Sequence, residues 1–198
     1  RSMTRSEAAA IFARLLAEKN GDTISTAANT KFADIPAHAW YSGYVKYLSN
    51  NGITYGKSKT IFAPNDAITR AEFTTLAVRF FDVYGDGDAE IMEQYKDFND
   101  VSDGYWAAEY IKYAALHGWI NGYGDGSFHA DREINRAEVV TIVNRLLGRE
   151  ADEDYIADNL RKLNTFPDVS RKHWAYYAVM EAANAHTAVL GESESWSK

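Results

Sequence analysis

The sequence predicts an all-α protein built from tandem repeats, and three observations support this. A capped amphipathic helix motif occurs three times along the 198 residues. A second motif, Phe-x-Asp followed by a tryptophan, also occurs three times. No segment shows the strict alternation of apolar and polar residues that is typical of a half-buried β-strand. Repetition at a fixed spacing indicates a repeat architecture.

The first repeated motif marks the start of a helix. It reads MTRSEA at 3–8, ITRAEF at 68–73 and INRAEV at 134–139. A Thr or Asn stands three residues before a Glu, which is the pattern of a capping box. Apolar residues follow the Glu at +4, +5, +8 and +9 in every copy except for the small Ala77. The motif arginines, Arg5, Arg70 and Arg136, are 65 and 66 residues apart.

The second motif precedes a shorter helical pattern. Each Asp is followed six residues later by a Trp, and the members are Asp34, Asp100 and Asp168 with Trp40, Trp106 and Trp174. A glycine-rich loop follows this helix, most clearly at 118–126. There we expect Gly122, Gly124 and Gly126 to supply positive φ angles.

Each complete unit therefore reads as Phe-x-Asp loop, short helix, glycine-rich loop and capped helix. Complete units are predicted at 32–82 and 98–148, half-units at 1–20 (second helix) and 166–187 (first helix), and linkers with short accessory helices at 83–97 and 149–165. A terminal half-unit would leave an apolar helix face uncovered. We therefore predict that helix 5–18 packs with helix 172–186 and closes a third repeat. The three arginine helices would then form a central bundle with pseudo-threefold symmetry.

The composition excludes several classes of protein. Hydrophobic residues make up 46% and charged residues 25%, as in ordinary globular domains. The net charge of −7 argues against non-specific binding of nucleic acid. No apolar run approaches the ~20 residues that span a bilayer, so membrane insertion is not predicted. Cysteine is absent, which excludes disulfides and thiolate chemistry. Because the chain begins within a helix start, we expect it to be part of a longer protein.

The motif residues allow two kinds of role. An arginine in the first helical turn faces the positive end of the helix dipole, at a cost of about 0.3–1 kcal/mol. This cost is offset either by the carboxylate of a ligand, which the helix start also attracts, or by an ion pair of the arginine with a neighbouring repeat. The tryptophans either stack on a sugar or fill the core. The aspartates either bond a ligand or cap a nearby turn. The glutamates Glu7, Glu72 and Glu138 are explained by the capping boxes.

Metal binding and catalysis have little support. Residues 82–93 place acids near several ligand positions of an EF-hand loop, but Tyr84 occupies its third position. An acidic linker is therefore favoured over a calcium site. The five histidines show no metal-ligand spacing and have no nucleophile partner. We expect no cofactor, no metal and no enzymatic activity.

The two motifs together resemble the S-layer homology (SLH) domain, the module that attaches surface proteins to bacterial cell walls. The resemblance is carried by FADIPAHAW with ITRAEF, by FNDVSDGYW with INRAEV, and by FPDVSRKHW and MTRSEA. It implies an all-α module of three repeats in pseudo-threefold arrangement, with ligand grooves between neighbouring repeats. It also implies an extracellular, non-catalytic module that binds secondary cell-wall polysaccharide, often through a terminal pyruvylated amino sugar.

Carried over residue by residue, the resemblance predicts a set of glycan ligands. These are Arg5, Arg70 and Arg136, Trp40, Trp106 and Trp174, and Asp34, Asp100 and Asp168. The implied partner is a cell-wall glycan polymer. The alternative is an assembly module, in which the same residues contact other surface-layer subunits. The chain departs from the family pattern at Ser6, at Asn135 and at 57–59, where Lys-Ser-Lys replaces the loop glycines.

Overall fold

The computed structural model describes residues 1–85, 97–189 and 195–197, and within them the chain is mainly helical. The elements are α1 (Arg5–Asn20), α2 (Ser42–Asn50), α3 (Arg70–Tyr84), α4 (Ala108–Leu116), α5 (Arg136–Leu146), α6 (Glu153–Asn159), a 3₁₀ turn (Leu160–Lys162), α7 (Tyr176–Ala183), β1 (Thr187–Val189) and β2 (Ser195–Ser197). The chain divides into two compact units, 1–134 and 135–198. None of the described helices is long and apolar enough to cross a membrane.

The predicted capping boxes are confirmed in all three arginine helices. The side chains of Thr4, Thr69 and Asn135 each accept a hydrogen bond from the backbone N–H of the Glu three residues later. Each Glu side chain in turn accepts from the backbone of the capping residue. The shorter helices α2, α4 and α7 begin two residues after the tryptophan, so each Trp lies in the turn that leads into its helix.

Aromatic packing between helices forms the core of the first unit. Helix α1 packs against α2 and α3, and α3 packs against α4. The ring of Phe12 is fully buried, and its centroid lies 5.2 Å from that of Phe73 and 5.0 Å from that of Phe80. The apolar positions predicted from the helical period therefore meet at the α1–α3 contact.

The second unit has its own small core. Helix α5 packs against α7, and a buried cluster joins Ile156 of α6, Tyr176 and Met180 of α7, and Trp196 of β2. Helix α6 confirms the accessory helix predicted in the 149–165 linker. The antiparallel β1–β2 hairpin was not predicted, because its strands have only three residues each and show no usable alternation.

The structure groups the helices in pairs, in which α1 packs against α2 and α7 packs against α5. The predicted packing of helix 5–18 with helix 172–186 stays a prediction. Each arginine helix is thus grouped with the tryptophan helix that follows it in the chain, and the helix pairs are α1–α2, α3–α4 and α5–α7. The central bundle, the pseudo-threefold symmetry and the closure of the third repeat by the chain ends stay predictions.

Replacing Phe12 by Ala should destabilise the protein strongly. Its ring is fully buried between two other phenylalanines, so Phe12→Ala leaves a cavity that costs about 3–5 kcal/mol. Chemical denaturation of the full chain would measure this loss. Val83→Ala is the control, because Val83 lies on α3 but is 44% exposed, and its loss should be below about 0.5 kcal/mol. Equal effects of the two substitutions would contradict the packing described here.

Candidate functional site

One phenylalanine in each of the first two glycine-rich loops is held by three residues. In the first loop, Asp34 accepts hydrogen bonds from the N–H groups of Phe62 at 2.9 Å and Ala63 at 2.6 Å. The Nε of Arg5 donates to the carbonyl oxygen of Phe62 at 2.7 Å. The ring of Phe32 lies 5.5 Å from the ring of Phe62. We call this arrangement the phenylalanine clamp.

The second loop repeats the clamp with nearly the same distances. Asp100 accepts from the N–H groups of Phe128 and His129, both at 2.7 Å. The Nε of Arg70 donates to the carbonyl oxygen of Phe128 at 2.8 Å, and the ring of Phe98 lies 5.2 Å from that of Phe128. In both copies the arginine comes from the helix that precedes the repeat in the chain.

Two glycines make room for the clamp. A Cβ added to Gly56 would lie 2.4 Å from the ring of Phe32, and one added to Gly122 would lie 2.5 Å from the ring of Phe98. Gly122 and Gly124 were expected to supply positive φ angles, but of the three loop glycines only Gly126 does so, at 80°. Gly122 is therefore required for space, and its backbone conformation is ordinary.

In the clamps, two of the motif arginines make contacts within the protein. Arg5 and Arg70 are only 6% and 5% exposed. The guanidinium of Arg5 also forms an ion pair with Glu72 at 2.9 Å. These contacts are the structural alternative, in which the motif arginine joins one helix to the next repeat.

Arg136 is different from the other two motif arginines. It is exposed, and its side chain has no hydrogen bond or ion pair within 1–85, 97–189 and 195–197. By its distance from the motif Trp, Trp196 occupies the position of Phe62 and Phe128. Trp196 does not enter a clamp, because its ring packs beside Ile156 and its backbone N–H donates to Asp152 at 3.0 Å.

The aspartates also differ between copies. Asp34 and Asp100 each accept hydrogen bonds from loop residues that lie 28 and 29 positions further along the chain. They therefore hold this loop and do not cap the adjacent turn. Burial is the largest influence on Asp100 and opposes its ionisation. The two N–H groups outweigh it, however, and the pKa of Asp100 lies below its ordinary value. Asp168 is exposed and makes no such bond among the described residues.

The three motif tryptophans lie on the surface. Trp40 is 54% exposed, Trp106 is 57% exposed and Trp174 is 64% exposed. The alternative that they fill the core is therefore wrong.

A cavity of about 530 Å³ lies beside the second clamp. Its lining residues are Asp100, Tyr105, His129, Ala130, Asp131 and Arg132. The hydroxyl of Tyr105 donates to Asp131 at 2.6 Å. Burial, together with this bond, raises the pKa of Tyr105 to about 12. The Nε2 of His129 lies 3.0 Å from the hydroxyl oxygen of Ser127. Carboxylates, a phenol, an imidazole and a guanidinium can together bond the hydroxyl groups of a sugar.

Of the six residues that line the cavity, only Asp100 was among the binding residues predicted from the sequence. The positions equivalent to Tyr105, His129 and Arg132 in the first repeat hold Ala39, Ala63 and Asp66. A comparison between repeats draws attention to residues that the copies share, so it passes over residues that only one copy has. The available signal was the cluster of polar and aromatic residues directly after the most glycine-rich loop.

The remaining acidic segment of interest lies mostly outside the described residues. The EF-hand-like stretch 82–93 falls largely on 86–96, of which the structure gives no account. Among the residues that are described, no group of three or more His, Asp or Glu side chains is arranged to hold a metal ion.

Replacing Asp100 by Asn should weaken the second clamp in a pH-dependent way. At pH 7 we expect a loss of about 1–2 kcal/mol, because an amide cannot accept both N–H groups as a carboxylate does. Since the pKa of Asp100 is lowered in the folded state, its contribution is complete above the ordinary pKa of about 3.9. It disappears as the pH falls further. The difference in unfolding free energy between wild type and variant should therefore shrink in acid.

Urea denaturation between pH 2.5 and 7 would measure this dependence. The control is Asp103→Asn, which changes a neighbouring exposed aspartate that does not bond the loop. A difference between Asp100→Asn and wild type that stayed constant over the whole range would show that the carboxylate charge does not hold the loop.

Comparison with known proteins agrees with this architecture. The family model of the S-layer homology domain matches residues 31–74 and 97–140. Each matched segment runs from the Phe-x-Asp motif through the short helix and the loop to the start of the following arginine helix. Both phenylalanine clamps therefore lie within the matched segments, except for Arg5, which precedes the first segment.

Similar proteins are found among bacterial surface proteins. The chain is 31% identical to the cellulosome-anchoring protein of Acetivibrio thermocellus over 97% of this chain and 41% of that protein. It is 32% identical to cell surface glycoprotein 1 of the same organism over 98% of this chain and 8% of that protein. It is 31% identical to the surface-layer 125 kDa protein of Lysinibacillus sphaericus over 74% of this chain and 12% of that protein.

The chain thus spans less than half the length of these relatives. Its two matched segments contain both repeated motifs in the order and spacing found from the sequence. The chain is a member of the S-layer homology domain family, built from tandem copies of that domain.

Proposed function

We propose that the chain is a non-catalytic module that anchors its parent protein to the bacterial cell wall by binding secondary cell-wall polysaccharide. The similar proteins named for cellulosome anchoring and for the surface layer support this proposal. Their names also agree with an extracellular location at the cell wall. The glycan terminus that we propose is an anionic, pyruvylated amino sugar, bound in grooves between repeats of a pseudo-threefold module.

The observation that carries the proposal is the exposure of the three tryptophans. A large aromatic side chain loses burial energy when it is left on the surface, about 1.5–3 kcal/mol for a residue of this size. Here the exposed Trp recurs at the same position of all three repeats. An exposed indole presents a flat apolar face, to which the C–H face of a sugar ring can pack.

Arg136 is the motif arginine best suited to an anionic ligand. Its guanidinium is exposed and unpartnered in the described part of the chain, at the N-terminal end of α5. A guanidinium binds a carboxylate through two parallel hydrogen bonds, and the helix start adds a favourable dipole. The proposed ligands Arg5 and Arg70 are engaged in clamps, so a role for them requires a ligand that reaches the clamp.

The cavity beside the second clamp supports a further contact with the glycan. Asp100 and Asp131 present carboxylate oxygens that can accept hydrogen bonds from sugar hydroxyls. Arg132 adds N–H donors, and the oxygen of Tyr105, whose proton is donated to Asp131, can accept. The cavity belongs to the repeat with the most complete glycine-rich loop.

The alternative function is an assembly module for a surface layer. The exposed aromatic residues of the second unit favour it, since Phe166 is 43% exposed, Tyr177 is 38% exposed and the motif Trp174 is 64% exposed. Exposed aromatic residues are typical of protein interfaces as well as of glycan sites.

Binding to purified cell-wall sacculi would test the proposed function directly. We expect the chain to sediment with sacculi and to lose most of this binding once the non-peptidoglycan polymer has been removed chemically. Binding that survives the removal would exclude the polymer as ligand. No binding in either case would favour the assembly module. Heat-unfolded chain serves as the control for non-specific adsorption.

Substitution of Arg136 should separate glycan binding from stability. Arg136→Ala should reduce the affinity for solubilised polymer by about 2–5 kcal/mol if the ion pair is desolvated. Arg136→Lys should also weaken binding, because a lysine cannot form the planar bidentate contact. The melting temperature should change little, since the cation leaves the positive end of a helix.

The matched control is Arg70→Lys, which alters the same motif position in a buried clamp. It should lower the melting temperature because it removes the Nε–H that bonds Phe128. Calorimetric titration and thermal melts of the three variants measure both quantities. A clear loss of stability in Arg136→Ala with unaltered binding would assign Arg136 a structural role.

A further inference from the structure

A second arginine of α3 contacts two tyrosine rings. The guanidinium carbon of Arg79 lies 4.8 Å from the ring centroid of Tyr55 and 4.9 Å from that of Tyr110. Its Nε and one terminal nitrogen donate to the hydroxyl oxygen of Tyr110 at 3.2 and 3.0 Å. Two aromatic contacts and two hydrogen bonds therefore fix the plane of the guanidinium.

The other terminal nitrogen of this arginine remains available. A guanidinium carries five N–H donors, and the contacts with Tyr110 use two of its three nitrogens. Within 1–85, 97–189 and 195–197, Arg79 forms no ion pair with a carboxylate. Tyr55 is 55% exposed, so solvent reaches this side of the cluster. The cation is thus pre-oriented, partly accessible and not neutralised by the described residues.

A second cation lies on the same ring. The ammonium nitrogen of Lys31 is 5.8 Å from the centroid of Tyr55 and 5.1 Å from that of Phe32. Lys31 and Tyr55 belong to the first repeat, and Arg79 and Tyr110 belong to the next helix pair. Two cations therefore contact the same exposed ring on a chain whose net charge is −7.

The equivalent positions in the other repeats show which parts are specific to this cluster. Arg14 of α1 likewise bonds Tyr44, at 3.1 and 3.0 Å, and lies 5.0 Å from its ring. No second ring and no second cation accompany Arg14 in the described part of the chain. In the third copy Arg145 faces the position of Ala178, where the tyrosine is absent.

We propose that Arg79, Lys31, Tyr55 and Tyr110 form an oxyanion site that takes a carboxylate or phosphate group of the wall glycan. The site is separate from Arg136, so it contacts a part of the polymer other than the sugar bound there. Arg79 supplies a planar fork held in place by the two rings, and Lys31 supplies a second positive charge. The assignment of the anion to the glycan rests on the proposed function, whereas the oxyanion site itself does not.

Titration with simple anions would test the site on the full chain. Inorganic phosphate and acetate are added separately while NMR follows the Nε–H signal of Arg79. We expect a saturable shift with at least one of these anions, and at least a tenfold weaker response of the neighbouring amides in Arg79→Lys. Tyr55→Ala should also weaken binding, and Tyr55→Phe should not, because it keeps the ring. Arg14→Lys is the matched control and should bind as wild type does.

The absence of a saturable shift with both anions would overturn the site, and so would equal weakening by Arg14→Lys and Arg79→Lys. Thermal melts identify any variant that has lost its fold. If Arg79→Lys unfolds, Tyr55→Ala still tests the site, because Tyr55 is exposed and its loss leaves the core intact.

Chemical treatment of the polymer shows whether the bound anion is a phosphate or a carboxylate. Binding of solubilised wall polymer is measured before and after removal of phosphate with hydrofluoric acid, and before and after reduction of carboxylates. We expect the difference between wild type and Arg79→Lys to vanish after one of these treatments. An affinity of Arg79→Lys for untreated polymer equal to that of wild type would exclude the glycan as source. The sacculus experiment with the wild-type chain tests the proposed function whether or not Arg79 binds the glycan.

Discussion

The clamp on Phe62 and Phe128 is the interaction on which the described repeats depend. In each clamp one phenylalanine residue has its ring, its N–H and its carbonyl engaged by residues distant in sequence. Buried polar groups are costly unless they are paired. The clamp pairs the loop backbone with an aspartate and an arginine, and thereby allows a glycine-rich loop to pack against the helices. Without the clamp, the glycine-rich loop would have little apolar surface with which to pack against the helices.

The clamp also explains why an arginine stands at the unfavourable end of a helix. Arg5 reaches out of α1 to the loop of the next repeat, and its guanidinium meets Glu72 there. The same glutamate completes the capping box of α3. One carboxylate thus stabilises the start of its own helix and binds the preceding one. Coupling between neighbours of this kind is how repeat proteins gain cooperativity.

We expect ligand binding at the motif residues that do not take part in a clamp. Arg136 and Asp168 occupy clamp positions in the third copy, but both are exposed. The tryptophans are exposed in every copy, so their positions are not needed for the core. A repeat protein can in this way keep one set of residues for folding and offer equivalent residues, or different positions, to a ligand. The cluster around Arg79 follows the same logic, since only one of three copies has both tyrosine rings.

The sequence by itself determined the helical class, the repeat, the capping boxes and the family. These features follow from spacings of a few residues, which set the face of a helix or the reach of a capping side chain. Only the tertiary structure decided which helix packs on which, and that Asp34 bonds a loop 28 residues away. It also decided that Trp106 is exposed and that Arg79 contacts two tyrosine rings. Each of these depends on the distance between residues far apart in the chain, and a local pattern carries no information about that distance.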